Sequence, residues 1–466
     1  MSHHADSNKP VNITINGIPV TVPDGTRILD AAKKANVTIP VLCDHPDLCK
    51  RGLCRLCVVE CDGMRKLIPA CINEVWDGMK IVTKNKRIAK IRRTIIELLL
   101  ANHPHDCLSC VRSKNCELQT LASGYGVFKF PFTSILQKPP IQIESETIVH
   151  EMSKCVKCSR CVEVCQEVQT IRAINTSGRC FNYRISTPYK QSLEDCSCVF
   201  CGACVNVCPV GAIQEYDQSA QAQKALDDSA QKTIAQVLPS FAPVLEKAFG
   251  FSAGTITAGK MIAAIKMLGF DKVYDAANAV NASNIEISRE VQARIADSTA
   301  KKPLISGCAE GVKRFIVKFY PDFKDHLTAE KNLRGQFASS FKSTYAKEAG
   351  IDLANVTSIS FMPCIALKYT TKPDKTDFAL TANELARMIK LSGIKIETLP
   401  EEQFDTIDFN YNVYYSSIKK ITAHGYAQAR NIMESLRKGE CSADWIEILC
   451  CPKGCGVLSD GVTVNK

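Results

Sequence analysis

CVKCSRCVEVC (residues 155–165) and CVFCGACVNVCP (residues 198–209) decide the fold of the middle of this chain. Both segments repeat the spacing C-x2-C-x2-C-x3-C. Three thiolates two residues apart bind three corners of one iron-sulfur cube, and the fourth Cys of each run binds the neighbouring cube. Zinc sites use two ligand pairs with a long spacer, so we favour two 4Fe-4S clusters over zinc or disulfides. The candidate ligands are Cys155, Cys158, Cys161, Cys165, Cys198, Cys201, Cys204 and Cys208.

Composition supports a metal-binding protein. The chain has 466 residues, of which 25 are Cys. It is too long and too mixed to be a small disulfide scaffold, so we expect reduced thiols and several domains. The first ten residues are polar and no run of about 18 apolar residues occurs, which predicts a soluble cytoplasmic protein with no signal peptide and no membrane span.

The formal net charge of +10 raises the question of the partner. Lys and Arg are scattered, without basic runs interleaved with aromatic residues, which disfavours nucleic acid. An acidic redox partner explains the charge at least as well.

The amino-terminal residues predict a β-grasp domain. Val11–Ile15 and Ile18–Val22 alternate around Asn16-Gly17, a strong hairpin signal. Asp24 is expected to cap a helix that follows. A Cys-rich loop comes next, and it suits a 2Fe-2S cluster bound by Cys43, Cys54, Cys57 and Cys71. Cys49 and Cys61 compete for this role, but we rank them lower because Cys54 and Cys57 supply the close pair and Cys71 follows an apolar run.

A further set of candidate ligands follows a predicted helix. Apolar residues between Ile88 and Leu100 repeat at helical spacing. Directly after this helix come His103, Cys107, Cys110 and Cys116. One imidazole with three thiolates also suits zinc, so the chemistry alone leaves the metal open. The three neighbouring cluster motifs favour a 4Fe-4S cluster with one His and three Cys ligands.

This order of clusters resembles the amino-terminal half of the large iron-only (FeFe) hydrogenases and of the large iron-sulfur subunit of complex I. In the second half of the chain, three segments resemble the catalytic domain of FeFe hydrogenases: LPSFAPVLEKAFGF (238–251), AGKMIAAIKMLGFDKVYDAANAVNASNIEISREVQARI (258–295) and KKPLISGCAEGVKRFIVKFYPDF (301–323). The resemblance covers nearly all of the chain. It implies an α/β domain with two parallel-sheet lobes.

The resemblance also implies a further cube. That family holds its active-site cube with four Cys on loops after parallel strands, where open α/β sheets place ligands. In this sequence they map to Cys308, Cys364, Cys451 and Cys455. The unassigned cysteines are by default small buried hydrophobes, although Cys196 and Cys450 lie near assigned ligands. The full unassigned set is Cys49, Cys61, Cys180, Cys196, Cys441 and Cys450.

The residues around the family's diiron subsite depart from its pattern. Gly307 stands where the family has a proton-carrying thiol, and Leu367 stands where it has a Lys that donates to a cyanide ligand, leaving only Lys368. The S-P-Q-Q element corresponds to Asn332–Gly335, and Gly456–Ser459 replaces a glycine run with Gln-Pro. A Gly-rich segment expected between about residues 400 and 411 is missing. We therefore expect a hydrogenase-like pocket with its cube and without a diiron subsite.

These observations predict an α+β multidomain chain with four parts: a 2Fe-2S β-grasp domain (1–85), a His-ligated 4Fe-4S domain (86–145), a 2x(4Fe-4S) ferredoxin domain (146–217) and an FeFe-hydrogenase-like domain (218–466). Residues 218–231 are expected to form a polar helical junction. The whole would carry one 2Fe-2S and four 4Fe-4S clusters.

The resemblance implies an electron-transfer subunit of a larger oxidoreductase linked to NADH or ferredoxin, for example of the formate dehydrogenase or electron-bifurcating type. Its expected partners are subunits that handle flavin and NADH, other iron-sulfur subunits, a catalytic subunit of the formate dehydrogenase type, or ferredoxin. One alternative is a divergent but functional FeFe hydrogenase. The other is a redox sensor, for which the sequence shows no output domain.

Overall fold

The computed structural model describes residues 9–113, 115–129, 131–134, 142–143, 145, 147–297, 299–329, 335, 337–370, 377–406 and 418–452. The predictions for Cys455, residues 332–334, residues 407–411 and residues 456–459 lie outside this part of the chain. No helix in the described part is both long enough and apolar enough to cross a membrane.

The amino-terminal hairpin forms as its sequence predicts. Strands β1 (Pro10–Ile15) and β2 (Ile18–Pro23) pair antiparallel, with Ile15 opposite Ile18. Asn16 and Gly17 between them have φ of 53° and 82°. Both values lie in the left-handed region that a two-residue hairpin turn of this type requires, and Asn-Gly adopts it at low cost.

The hairpin extends into a mixed sheet of order β2-β1-β5-β3-β4. Strand β5 runs parallel to β1, whereas β3 pairs antiparallel with both β5 and β4. Ile15, Ile28 and Val59 are among the residues of the core beneath this sheet. The added elements are α1 (Ile28–Lys34), β3 (Val58–Cys61), β4 (Ile68–Pro69) and β5 (Lys80–Val82).

The prediction that Asp24 caps α1 was wrong. The residue at the amino-terminal end of α1 is Arg27, and its side chain makes no capping hydrogen bond. Asp24 Oδ1 instead accepts a hydrogen bond from the backbone N–H of Gly25 at 3.0 Å. The aspartate therefore stabilises the turn that precedes the helix rather than the helix itself.

Two helices connect the first sheet to the middle of the chain: α2 (Lys86–Ala101) and α3 (Glu117–Gly124). Asn85 caps α2 by accepting a hydrogen bond from Ile88 N at 2.8 Å, a favoured helix start. Ile96 of α2 packs with Leu56 and Ala122 in a small core. The predicted helix between Ile88 and Leu100 is thus confirmed.

The middle region is built from short elements around the two Cys runs. Its sheet has the order β10-β7-β6, and a separate hairpin joins β8 to β9. The elements are β6 (Gln142–Ile143), β7 (Ile148–His150), α4 (Arg160–Glu163), a π-helical turn (Val164–Val168), β8 (Asn175–Ser177), β9 (Arg184–Ser186), α5 (Ala203–Val207) and β10 (Ile213–Glu215).

A four-stranded parallel sheet of order β12-β11-β14-β15 follows. Helix α6 lies within the stretch expected to be helical, residues 218–231. The elements of this region are α6 (Ser219–Asp227), β11 (Lys232–Val237), α7 (Ala242–Phe249), α8 (Ala258–Met267), β12 (Lys272–Asp275), α9 (Ala276–Ala296), α11 (Lys342–Ala349), β14 (Val356–Phe361), β15 (Asp377–Leu380) and α12 (Ala382–Leu391).

A second parallel sheet has the order β13-β17-β16. Its core is shared with the middle region, because Phe200 belongs to the same buried cluster as Phe315 and Tyr426. The Cys runs and this sheet are therefore packed into one hydrophobic unit. Its elements are β13 (Leu304–Gly307), α10 (Glu310–Phe319), β16 (Lys420–His424), α13 (Gly425–Arg437) and β17 (Trp445–Leu449).

Candidate metal centres

The structure brings together the four thiols predicted for the 2Fe-2S site. Cys57 Sγ lies 3.3 Å from Cys71 Sγ, and the backbone N–H of Cys54 donates to Cys43 Sγ at 3.4 Å. Hydrogen bonds from Cys54 and Cys71 lower the pKa of Cys43 despite its burial. These pairwise contacts link the four thiols, and together with the backbone donor they fit a thiolate-bound cluster.

The two competing cysteines lie elsewhere. Cys49 is exposed, and the neighbouring carboxylate of Glu163 contributes to raising its pKa. Cys61 ends β3 and is buried, which raises its pKa to about 11. Neither side chain takes part in the contacts that join the four thiols above.

His103 has a ring nitrogen available for a metal. Its Nδ1 lies 2.8 Å from the carbonyl oxygen of Pro104, whereas its buried Nε2 has no hydrogen-bond partner in the described part of the chain. A buried imidazole nitrogen without a partner is costly unless something binds it. A ring held by a carbonyl at one nitrogen is the usual orientation of a metal-binding His.

The three cysteines predicted to accompany His103 lie in the same neighbourhood. Burial lowers the pKa of His103, and Lys154 is close enough for its charge to lower it further. Lys154 also lies near Cys110. Cys110 and Cys107 in turn raise the pKa of Cys116 by charge repulsion, in addition to burial. The residues fit one site, although the donor set by itself still suits zinc as well.

The first ferredoxin-type site is a cavity. It is bounded by Cys155, Cys158, Cys161 and Cys208, with apolar residues such as Ile185 completing the wall. The fourth thiol therefore comes from the second run, as the exchange of fourth ligands between neighbouring cubes requires. Four thiols that face one cavity from two Cys runs fit a bound cluster.

The other four thiols of the two Cys runs surround the second ferredoxin-type site. Desolvation of its thiol raises the pKa of Cys198, and the charges of Cys204, Cys201 and Cys165 raise it further. Two backbone N–H groups point at these sulfurs: Phe200 N donates to Cys198 Sγ and Ala173 N donates to Cys165 Sγ, each at 3.3 Å. Such donors stabilise negative charge on sulfur and tune a cluster's potential.

Burial dominates the acidity of these thiols. It raises the pKa of Cys155 to about 11, of Cys158 and Cys201 to about 12, and of Cys161 and Cys204 still further. Buried thiols in this environment become thiolates only when a cation replaces the proton, as a bound metal does. Cluster binding at these sites should therefore release protons.

The hydrogenase-like thiols follow the carboxyl ends of parallel strands. Cys308 follows β13, Cys364 follows β14 shortly after its last residue, and Cys451 follows β17. Hydrogen bonding to Cys451 lowers the pKa of the buried Cys364. The structure thus brings Cys364 and Cys451 together, while Cys455 lies outside the described residues.

Cys450 makes polar contacts in addition to filling space in the core. It is fully buried, its N–H donates to Cys308 Sγ at 3.3 Å, and its own sulfur lies 3.2 Å from the hydroxyl of Tyr426. Its carbonyl accepts from Gln169 Nε2 at 3.1 Å. Adjacency to Cys451 was the sequence signal for Cys450, whereas nothing in the sequence singled out Tyr426 or Gln169.

The space beside Cys308 is filled by a side chain. A Cβ placed on Gly307 would lie 2.5 Å from Val312 Cγ1, far inside van der Waals contact. Val312 is itself fully buried on α10. A side chain at position 307 therefore has no room unless Val312 moves.

Lys368 forms an ion pair. Its Nζ donates to Glu384 Oε1 at 2.7 Å and to the carbonyl oxygen of Tyr216 at 2.9 Å. Both side chains are almost completely buried. Leu367, at the position of the family's first Lys, is also buried. The amine of Lys368 is thus part of a polar network that joins α12 to the segment before α6.

Family models match the chain from end to end in sequence order. Residues 8–86 match the 2Fe-2S iron-sulfur cluster binding domain, and residues 92–130 match the NADH-ubiquinone oxidoreductase-G iron-sulfur binding region. Residues 145–214 match the ferredoxin-like domain of NADH-quinone oxidoreductase subunit 3. Residues 231–414 and 408–457 match the carboxyl-terminal domain of the iron only hydrogenase large subunit.

Curated relatives agree with this order. The NADP-reducing hydrogenase subunit HndD of Solidesulfovibrio fructosivorans is 32% identical over 96% of this chain and 87% of its own length. Iron hydrogenase 1 of Clostridium pasteurianum is 28% identical over 84% of this chain and 70% of its length. The NADPH-Fe(3+) oxidoreductase subunit alpha of Geobacter sulfurreducens is 36% identical, but over only 44% of this chain and 24% of its length. The chain belongs to the family of iron-only hydrogenase large subunits that carry iron-sulfur domains of the NADH-quinone oxidoreductase type.

Proposed function

We propose that this chain relays single electrons through five iron-sulfur clusters as a subunit of a larger oxidoreductase. The observation that carries the proposal is a succession of contacts between the chain segments that carry the candidate sites. Bound iron-sulfur clusters supply one-electron exchange with little rearrangement of their ligands. The side chains between the sites hold them close together.

The first contacts join the amino-terminal sites to the first ferredoxin-type site. Arg160 Nη2 donates to the carbonyl oxygen of Asp44, next to Cys43, at 2.9 Å, and the same guanidinium holds Glu117 beside Cys116. The backbone N–H of Glu117 donates to Pro209 O at 3.0 Å. Arg160 thus lies where the segments carrying three sites converge.

The later contacts lead to the hydrogenase-like site. Besides burial, the charge of Cys204 contributes to the raised pKa of Cys161, so these two cysteines lie close together. A Cβ on Gly202 would lie 2.5 Å from Ile365 Cβ. The loop of the second Cys run and the loop of Cys364 are therefore packed directly on one another, and glycine at 202 permits that approach.

The proposed ligands follow from the predicted sets and the thiol groups described above. Cys43, Cys54, Cys57 and Cys71 hold a 2Fe-2S cluster, and His103, Cys107, Cys110 and Cys116 hold a 4Fe-4S cluster. Cys155, Cys158, Cys161 and Cys208 hold the next cube, followed by Cys165, Cys198, Cys201 and Cys204. Cys308, Cys364, Cys451 and Cys455 hold the last. The two parallel sheets correspond to the two lobes of the hydrogenase-like domain, within domain limits of 1–85, 86–145, 146–217 and 218–466.

We also propose that the chain does not turn over hydrogen. Position 307, where the family has its proton-carrying thiol, is a glycine against which Val312 is packed. Leu367 offers no donor at the position of the cyanide-binding Lys, and Lys368 is engaged with Glu384. A catalytic proton carrier contributes roughly 10²- to 10⁴-fold to a rate. The alternative, a divergent FeFe hydrogenase, would need another route for the proton.

The relatives indicate the kind of assembly. One is by name a subunit of an NADP-reducing hydrogenase and another a subunit of an NADPH-Fe(3+) oxidoreductase. We propose that this chain likewise works in the cytoplasm beside subunits that handle flavin and NADH, with ferredoxin or a formate dehydrogenase-type subunit as further partners. The positive net charge favours acidic partner surfaces.

Metal analysis and electron paramagnetic resonance (EPR) of anaerobically loaded full-length protein test the relay. The expected content is about 18 iron atoms per chain, with five distinct cluster signals on stepwise reduction. Iron near ten atoms per chain with zinc present would contradict the assignments at His103 and Cys308. Copurified subunits that reduce the clusters with NADH would identify the donor.

A further inference from the structure

Two cations of helix α10 cover the backbone of the second Cys run. Arg314 Nε donates to the carbonyl oxygen of Cys198 at 2.5 Å, and its Nη2 donates to the carbonyls of Leu193, Glu194 and Cys196. Lys318 Nζ also donates to the Cys196 carbonyl. Arg314 and Lys318 are four residues apart, so both side chains lie on one face of the helix.

Arg314 also holds the residue whose N–H points at a candidate ligand. Its guanidinium lies 5.5 Å from the ring centre of Phe200. Tyr369 stacks on the same ring at 4.1 Å with an interplanar angle of 11°. Phe200 has φ of 52°, a conformation that costs energy for a bulky residue. In this conformation its N–H donates to Cys198 Sγ.

The first Cys run has a different charge environment. Its nearby cation Arg160 pairs with both carboxylate oxygens of Glu117, at 2.6 and 2.9 Å. Lys154 likewise lies 2.8 Å from the carboxylate of Glu151. Positive charge beside this run is therefore largely offset by negative charge at contact distance.

Arg314 and Lys318 donate instead to carbonyl oxygens, which carry no net charge. The carboxylates nearest in sequence to these carbonyl groups belong to Glu194 and Asp195, and both residues are exposed. Solvent and salt screen exposed charges strongly. The half-buried Arg314 thus leaves a net positive potential at the second run, whereas the exposed Lys318 contributes less.

We infer that Arg314, assisted by Lys318, is a positioning residue that raises the reduction potential of the cluster held by the second run above that of its neighbour. The inference rests on the proposed relay. Reduction adds one electron and one negative charge to a cluster, which a fixed cation and an N–H donor to sulfur stabilise. Arg314 keeps its proton throughout. The electron would therefore reside preferentially beside the loop of Cys364.

The test is a redox titration of the full-length, iron-loaded protein followed by EPR. Arg314→Gln should lower the reduction midpoint of one cluster by ~59 mV, which corresponds to about a tenfold change in its reduction equilibrium. Lys318→Gln should lower the same midpoint by less, and Arg314→Lys should retain most of the original value. Lys313→Gln is the matched control, because Lys313 lies on the same helix with its ammonium 3.6 Å from Glu310.

The affected cluster is identified by the signal that Cys201→Ser alters. Unchanged midpoints in Arg314→Gln, with iron content and all signals intact, would overturn the inference and leave the relay standing. If Arg314→Gln loses the cluster, Lys318→Gln decides: a lowered midpoint supports the inference and an unchanged one overturns it. Absence of this cluster from the unmodified protein would instead refute the relay assignment on which the inference rests.

Discussion

The first ferredoxin-type site surrounds a cavity, whereas side chains fill the space at the hydrogenase-like site. At the former, four thiols line a cavity with mostly apolar walls. At the latter, Val312 fills the position beside Gly307, and Lys368 is bound to Glu384. The chain keeps four thiols around the first space. At the hydrogenase-like site, packing and a buried ion pair stand where the family has polar, reactive groups.

The largest expected effect concerns ligand exchange between the two Cys runs. Cys158→Ala and Cys208→Ala should abolish the same EPR signal, with loss of up to about four iron atoms, because both thiols line one cavity. Cys201→Ala should abolish a different signal. Cys180→Ala, at an exposed thiol, is the control that should keep every signal. Separate signals lost in Cys158→Ala and Cys208→Ala would contradict the exchange.

The buried ion pair gives the next largest effect. Lys368→Met should destabilise the fold by about 3–5 kcal/mol, because it leaves Glu384 charged and buried. Denaturant unfolding measures this. Lys368→Met combined with Glu384→Gln should recover much of the loss, while Arg387→Met, at a partly exposed pair with Asp217, should cost under ~1 kcal/mol. A stable Lys368→Met protein would show that this Lys is not structural.

Restoring a thiol at position 307 should be costly. Gly307→Cys should lower the free energy of unfolding by about 1–3 kcal/mol, because its Cβ would overlap Val312. Adding Val312→Ala should make the combined loss smaller than the sum of the single losses. Gly124→Cys, where a Cβ meets nothing within 4 Å, is the control and should be near neutral. Full stability of Gly307→Cys would refute the account of a filled pocket.

The smallest expected effect is on one potential. His103→Cys should lower the midpoint of one cluster, because a thiolate adds negative charge that an imidazole does not; we expect about a tenfold change in the reduction equilibrium, or ~59 mV. His105→Cys is the control, since His105 is exposed and its Nε2 lies 3.0 Å from the Leu100 carbonyl. Identical potentials in the unmodified and His103→Cys proteins would argue against ligation by His103.

Local sequence predicted the elements whose determinants are local. The Asn16-Gly17 turn and the helix between Ile88 and Leu100 follow from turn chemistry and periodicity. The cap of α1 was not predicted correctly, because Asp24 Oδ1 accepts a hydrogen bond from the N–H of Gly25 instead. Cys spacing likewise anticipated thiols that the fold brings together, including Cys57 with Cys71.

Contacts between distant segments could not be read from the sequence. Arg314 reaches the Cys198 carbonyl across 116 residues, and Gln169 reaches the Cys450 carbonyl across 281. No periodicity or spacing encodes such pairs, because they depend on how the second parallel sheet packs against the Cys runs. The replacement at Gly307 was visible in the sequence, but its filling by Val312 was not.

Infrared spectroscopy tests the central claim most directly. The full-length protein, loaded with its iron-sulfur clusters, would be exposed to a synthetic diiron precursor or to the maturation machinery and then to reduced viologen. The account predicts no bands from iron-bound CO or cyanide and no hydrogen, while the cluster EPR signals remain and accept electrons. Bands from both ligands together with hydrogen evolution would contradict it and identify the chain as a working hydrogenase.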